Sequence, residues 1–200
     1  MKPVLVVYAT REGQTRHIAE HACGRLAAQQ FACELVDAAH VPETFALENY
    51  AAVIAGASLH RAKHEPEMTA FVRRYLPQLQ EIPTLFLSVS LSETTVEDPN
   101  APPEKRDKAR EDVKRTIDEF LAETGWRPTQ IAGVAGALPY SKYNFVMRFV
   151  MKQIAKKAGG PTDTSRDYEF TNWTELDRLV TEFAGTLPAY VQKGSSAGTY

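Results

Sequence analysis

The sequence predicts an α/β fold: a doubly wound, five-stranded parallel sheet with a basic amphipathic helix inserted before the last helix. Three observations predict it. Five short runs, rich in apolar and β-branched residues and bounded by turn residues, read as strands buried on both faces. The segments between them place apolar residues three and four apart, the spacing of a helix with one buried face. Strand and helix alternate along the chain, the pattern of parallel strands joined by crossovers. Two hundred residues make one domain, expected over 1–193 with an insert at about 139–165. The small polar stretch 194–200 is expected to be a disordered tail.

The first strand is expected over Val4–Tyr8, followed by a polar turn from Thr10 to Thr15. Ile18, Ala22 and Leu26 then recur at spacing four, a helix to about Gln29. Ala32–Val36 and Ala51–Ala57 read as the second and third strands. Pro66 opens a helix to Leu76, at a position where its missing N–H does no harm. Thr84–Val89 is the fourth strand, and Ser92–Pro103, polar and with three prolines, reads as a loop. Glu104–Glu123 is a charged surface helix with Val113, Ile117, Phe120 and Leu121 on one face. Its acids and bases read as a solvated face with i,i+4 pairs. Gln130–Leu138 is the fifth strand. Lys142–Lys157 reads as the inserted helix, stopped by Gly159-Gly160-Pro161. Trp173–Val191 reads as the last helix, with Thr171 or Asn172 as its cap.

Composition excludes several classes. Lys plus Arg total 23 and Asp plus Glu 25, a net charge of −2, which fits neither an acidic carrier nor a protein basic all over for nucleic acid. No apolar run reaches the 18 residues of a membrane span, and MKPVLVVYAT is too short and too abruptly polar for a signal peptide. Cys23 and Cys33 form no metal-binding motif, and both are expected to be reduced in an intracellular chain. No metal site is expected.

Ligands of such sheets bind outside the carboxyl ends of the strands. The loops Thr10–Thr15, Ser58–His64 and Ser90–Glu97 therefore hold the candidate chemistry. Thr10-Arg11-Glu12-Gly13-Gln14-Thr15 leads directly into a helix, whose free N–H groups and neighbouring hydroxyls suit a phosphate. Gly13 permits close approach. Neither the dinucleotide glycine fingerprint nor the P-loop pattern is present, so a monophosphate is expected rather than a pyrophosphate or triphosphate. A plain capped turn remains the bland alternative.

The hexapeptide resembles the T-x-T-G-x-T phosphate loop of flavodoxins, with Glu12 standing where that pattern has Thr. The loop Gly56-Ala57-Ser58-Leu59-His60-Arg61-Ala62-Lys63-His64 is similar to the G-A-S-I-x-x-G-x-H loop of flavodoxin-like protoporphyrinogen oxidases, with Ala62 in place of glycine. Trp126-Arg127-Pro128, Ala135-Gly136-Ala137-Leu138-x-Tyr140, Gly159-Gly160-x-Thr162-Asp163-Thr164 and Thr171-x-Trp173 follow in that family's order. The chain resembles the menaquinone-dependent protoporphyrinogen IX dehydrogenases over Val4–Val191. The resemblance implies a flavodoxin-like fold, FMN as cofactor, protoporphyrinogen IX as substrate in haem biosynthesis, menaquinone or another quinone as acceptor, and a peripheral place on the cytoplasmic face of the membrane. It implies cofactor contacts from Thr10, Arg11, Glu12, Gly13, Gln14 and Thr15, then Ser58, Leu59 and His60, and then Ser88, Val89, Ser90 and Leu91.

No Trp, Tyr or Phe stands among Leu59, His60, Ser90 and Leu91, so the flavin loops leave an open or aliphatic-lined face for a second flat ring. His60 and His64 are weak catalytic candidates. They serve as flavin-edge donors, proton relays or carboxylate contacts, or else they are solvated loop histidines. From 124 to 162 there is no Asp or Glu, while Arg127, Lys142, Arg148, Lys152, Lys156 and Lys157 fall there. In the inserted helix Val146, Met147, Val150, Met151 and Ile154 share one arc, and Arg148, Lys152 and Lys156 lie opposite with Phe145 and Phe149. Lys142, Arg148, Lys152 and Lys156 are expected to meet an anionic membrane surface, at about 1 kcal/mol per cation, or the propionates of a porphyrinogen. The alternative is a helix packed on the sheet with a solvated basic face. Rival functions are an NAD(P)H:quinone reductase of the same fold, a flavodoxin electron carrier, and a domain that has lost its flavin. A homo-oligomer stays open.

Overall fold

Six consecutive apolar residues give β1 (Val4–Ala9), buried along its whole length. The computed structural model describes residues 2–158 and 160–187. After β1 come α1 (Gln14–Ala28), β2 (Cys33–Asp37), β3 (Ala52–His60) and β4 (Lys63–His64). They are followed by α2 (Pro66–Arg74), α3 (Leu76–Leu79), β5 (Thr84–Ser90), α4 (Ser92–Glu97) and α5 (Pro103–Thr124). The chain continues through β6 (Gln130–Ala135), β7 (Ala137–Leu138), α6 (Phe145–Ala158), β8 (Tyr168–Glu169) and α7 (Trp173–Gly185).

The main sheet runs β2-β1-β3-β5-β6, all parallel, with β4 folded back antiparallel on the end of β3. This is the doubly wound architecture expected. Alternate residues of β1 enter opposite layers: Val4, Val6 and Tyr8 pack with Ile18, Ala22 and Leu26 of α1 and Val180 and Phe183 of α7. Leu5, Val7 and Ala9 pack with Met68, Phe71 and Val72 of α2, Phe120 of α5 and Trp126. Trp126, 1% exposed, meets Phe86 and Phe120 edge-on, so the Trp126-Arg127-Pro128 motif is a core element.

The structure corrects several expectations. Ser92–Glu97 is helical, because all three prolines of that stretch (Pro99, Pro102, Pro103) come after it. The fifth strand stops at Ala135; past Gly136 the chain leaves the sheet, and β7 pairs with β8. The inserted helix starts at Phe145 rather than Lys142, because Tyr140–Lys142 forms a separate 3-10 turn. Cys23 and Cys33 are joined in a disulfide, not reduced: the turn at Gln29–Gln30 folds β2 back beside α1 and brings their Cα atoms to 5.6 Å. Asn172 caps α7 by accepting from the Glu175 N–H, while Thr171 bonds elsewhere.

The last helix ends at Gly185 rather than running on toward Val191; the tail 194–200, positions 188–191 of the expected helix, Gly159 of the expected helix stop, and the side chains of Ile154 and Lys157 lie outside the described residues. Among the described residues no helix is long and apolar enough to cross a membrane.

Candidate functional site

Strand ends β1, β3 and β5 open at the same edge of the sheet, so their loops converge. In the first loop Gly13 has φ +101, a left-handed conformation open to glycine, and it forms the N-cap of α1. The Gly13 N–H donates to Thr10 Oγ1 at 3.0 Å, closing the turn. The first N–H groups of α1 have no intrahelical acceptor and carry the positive end of the helix dipole. Thr15, fully buried at the second position of α1, has a hydroxyl with no hydrogen-bond partner. A buried, unpartnered hydroxyl beside free helix N–H groups fits a ligand that brings oxygen acceptors, as a phosphate does.

The other loop residues face elsewhere. Arg11 donates to the carboxylate of Glu65 (Nη2 to Oε2 at 3.0 Å), and Glu65 is 3% exposed. Ser58 Oγ donates to the same carboxylate at 3.4 Å, tying the first loop to the end of β3. Gln14 Nε2 donates to Glu169 Oε1 and Thr171 Oγ1, both at 2.9 Å, and Thr171 Oγ1 donates to the Ala135 carbonyl. Burial, reinforced by the charge of Glu65, pushes the Glu12 carboxyl above the usual range.

Of the residues assigned to the fourth-strand loop, Ser88 and Val89 turn into the two layers, and only Ser90 and Leu91 reach the strand end. Ser90 Oγ accepts from the Glu93 N–H and starts α4. His60 is partly exposed at the end of β3, close enough to Glu12 to influence its charge. His64 is 6% exposed. Its Nε2 meets Ser88 Oγ at 2.9 Å, and its ring packs against Phe86 and Phe120. Burial pulls that imidazole down to about 4, so it is neutral at pH 7. It is a buried histidine rather than a solvated loop one. A cavity of about 230 Å³ beside it, lined by Lys63, Thr116 and Phe120, contains no residue of the Thr10–Thr15 loop.

The insert folds onto the loops. Leu138, Tyr140 and Ala155 form a third apolar cluster with Tyr143, Met151 and Leu91. Tyr143, half-buried near Glu12, supplies an aromatic ring beside Leu91 that the loops after β3 and β5 lack. Lys142 Nζ donates to the Glu12 carbonyl. Arg148, expected on the outer face, turns inward instead and donates to the carbonyls of Tyr140 (3.1 Å) and Tyr143 (3.3 Å). The outward face of α6 carries Phe145 (87% exposed), Val146, Phe149 and Val150, followed by Lys152 and Lys156. Val146 and Val150 thus part from Met147 and Met151, which face the body of the protein.

The flavodoxin-domain model matches residues 5–165. The chain belongs to the flavodoxin-domain family. This is a family of flavin-binding domains. The chain is 32% identical to Protoporphyrinogen IX dehydrogenase (quinone) of Escherichia coli (strain K12), covering 90% of this chain and 93% of that one. It is 29% identical to the protein of the same description from Leishmania major, covering 98% and 80%. Among solved structures, oxidised flavodoxin 1 of Bacillus cereus matches with a TM-score of 0.52 at 16% identity, covering 93% and 99%, which shows the shared fold. Glu65 and Tyr143 escaped the sequence reading. Glu65 had one signal, an acid directly before a helix-opening Pro66; Tyr143 had none.

Proposed function

We propose that the protein is an FMN-dependent dehydrogenase that oxidises protoporphyrinogen IX to protoporphyrin IX and passes the electrons to a quinone, menaquinone being the expected one. The observation that carries the reading is the loop Thr10–Thr15, with its left-handed Gly13 and the buried, unpartnered Thr15 hydroxyl at the start of α1. The reaction is narrowed by the relatives, two of which are described as quinone-linked protoporphyrinogen IX dehydrogenases across most of their length.

FMN, when bound, supplies hydride-accepting two-electron chemistry. The chain's own residues bind and orient. Thr15 Oγ1 and the N–H groups at the start of α1 hold the phosphate; Thr10 fixes the turn that presents them. Ser58, Leu59 and His60 line one side of the ring site, Ser90 and Leu91 the other. Leu59 and Leu91 are aliphatic, which leaves a face free for a flat macrocycle, with Tyr143 at the rim. His60, partly exposed at the end of β3, would take the pyrrole N–H proton, or water would.

Peripheral attachment to the cytoplasmic face of a membrane is part of the proposal. Phe145, Val146, Phe149 and Val150 form an apolar face with no partner among the described residues, flanked by the exposed Lys152 and Lys156. That combination suits the interface of an anionic bilayer, where the quinone resides. The experiment is purification followed by an absorption spectrum and identification of the released flavin. A yellow protein releasing FMN supports the reading; a colourless protein that FMN does not reconstitute refutes it.

A further inference from the structure

We infer that Lys142, carried by the insert, is the cation that holds the phosphate of the flavin and sets the preference for FMN over riboflavin. The inference rests on the FMN reading above and adds a residue outside the phosphate loop, 130 positions away in sequence. Lys142 Nζ stands over the loop: it donates to the Glu12 carbonyl, and it lies 3.2 Å from where a Cβ on Gly13 would be. The Glu12 carbonyl is its one hydrogen-bond partner among the described residues, and an ammonium has three donors, so two remain for a ligand.

The loop needs such a cation. Its own guanidinium, Arg11, is committed to the buried Glu65. Its Glu12 is a carboxyl where the flavodoxin pattern has a hydroxyl, and next to a phosphate dianion this is unfavourable. A lysine anchored on the Glu12 backbone places a positive charge at the point where the substitution removed a donor and added a negative one.

The turn that carries Lys142 is braced on three sides. Ser141 donates its N–H and hydroxyl to Asp167, at 2.7 and 2.5 Å. Arg148 donates to the carbonyls of Tyr140 and Tyr143. Tyr140 Oη donates to the Pro161 carbonyl at 3.0 Å. Lys142 is therefore held before the ligand arrives, which lowers the ordering cost of using it.

The test is titration of the full-length apoprotein with FMN and with riboflavin, followed by quenching of flavin fluorescence. Lys142→Met is expected to weaken FMN about 10-fold, as for loss of a charge-assisted hydrogen bond, and to leave riboflavin unchanged. Lys142→Arg, which keeps the charge, is expected to retain most of the FMN affinity. Raising salt from about 50 to 500 mM should weaken FMN binding more in the wild type than in Lys142→Met. FMN affinity of Lys142→Met within twofold of wild type overturns the inference, and so does an equal loss for FMN and riboflavin, which marks a structural role. A wild-type protein that binds neither flavin overturns the FMN reading and this inference with it.

Discussion

Replacing Thr15 by Val separates the stability of the phosphate loop from its use. Thr15 is fully buried and its Oγ1 has no partner in the ligand-free structure. A buried unsatisfied hydroxyl costs about 1–3 kcal/mol, and Val replaces it with a methyl of nearly the same shape. The isosteric change matters because the site is tight: a Cβ on Gly56 would stand 3.2 Å from Thr15 Cγ2. The apoprotein variant is therefore expected to be more stable by about 1 kcal/mol, read as a rise of about 2–4 °C in a thermal melt. In the proposed site the same substitution removes the hydroxyl offered to the phosphate, so FMN binding is expected to weaken by about 10-fold or more. The two effects have opposite signs in one variant. A variant that is less stable without flavin and binds FMN as tightly as the wild type refutes the assignment of Thr15 to the phosphate.

Three further outcomes follow from other parts of the molecule. Ala62 has φ +61 and its neighbour Arg61 φ +51 in the turn between β3 and β4, so Ala62→Gly is expected to stabilise the protein by about 0.5–1 kcal/mol in denaturant unfolding. His64 is held neutral by burial, with its pKa lowered from 6.5 to about 4. The unfolded chain thus binds the extra proton first, and stability is full above pH 6.5 and falls as pH drops toward 4, by on the order of 3 kcal/mol. Unfolding of wild type and His64→Gln across that window should show the slope flattened in the variant. On α6, the double change Phe145→Ser with Phe149→Ser is expected to weaken binding to anionic vesicles about 10- to 100-fold in a co-sedimentation assay. Unchanged binding would remove the membrane from the account of that face.

The sheet was legible because its strands are buried on both faces and so read as unbroken apolar runs, Val4–Ala9 and Thr84–Ser90 most clearly. The Thr10–Thr15 turn was legible because its features are local: a glycine, two hydroxyls and a helix start fall within six residues. What escaped depends on contacts that no spacing records. Arg148 is at a helical position that a wheel places on the basic side, yet the carbonyls of Tyr140 and Tyr143, at either end of the preceding turn, draw it inward. Lys142 reaches the loop only because that turn folds back over it, and Glu65 meets Arg11 across 54 positions. The Cys23–Cys33 pair lacked any motif; it follows from how β2 returns beside α1. The helix at Ser92–Glu97 was hidden by prolines that begin just beyond it.

The central claim is tested most directly by adding protoporphyrinogen IX and a menaquinone analogue to the FMN-reconstituted protein under nitrogen and following porphyrin fluorescence. Protoporphyrin IX is expected to form with matching reduction of the quinone, dependent on added FMN. No porphyrin above the protein-free control, together with rapid quinone reduction by NADPH, would contradict it.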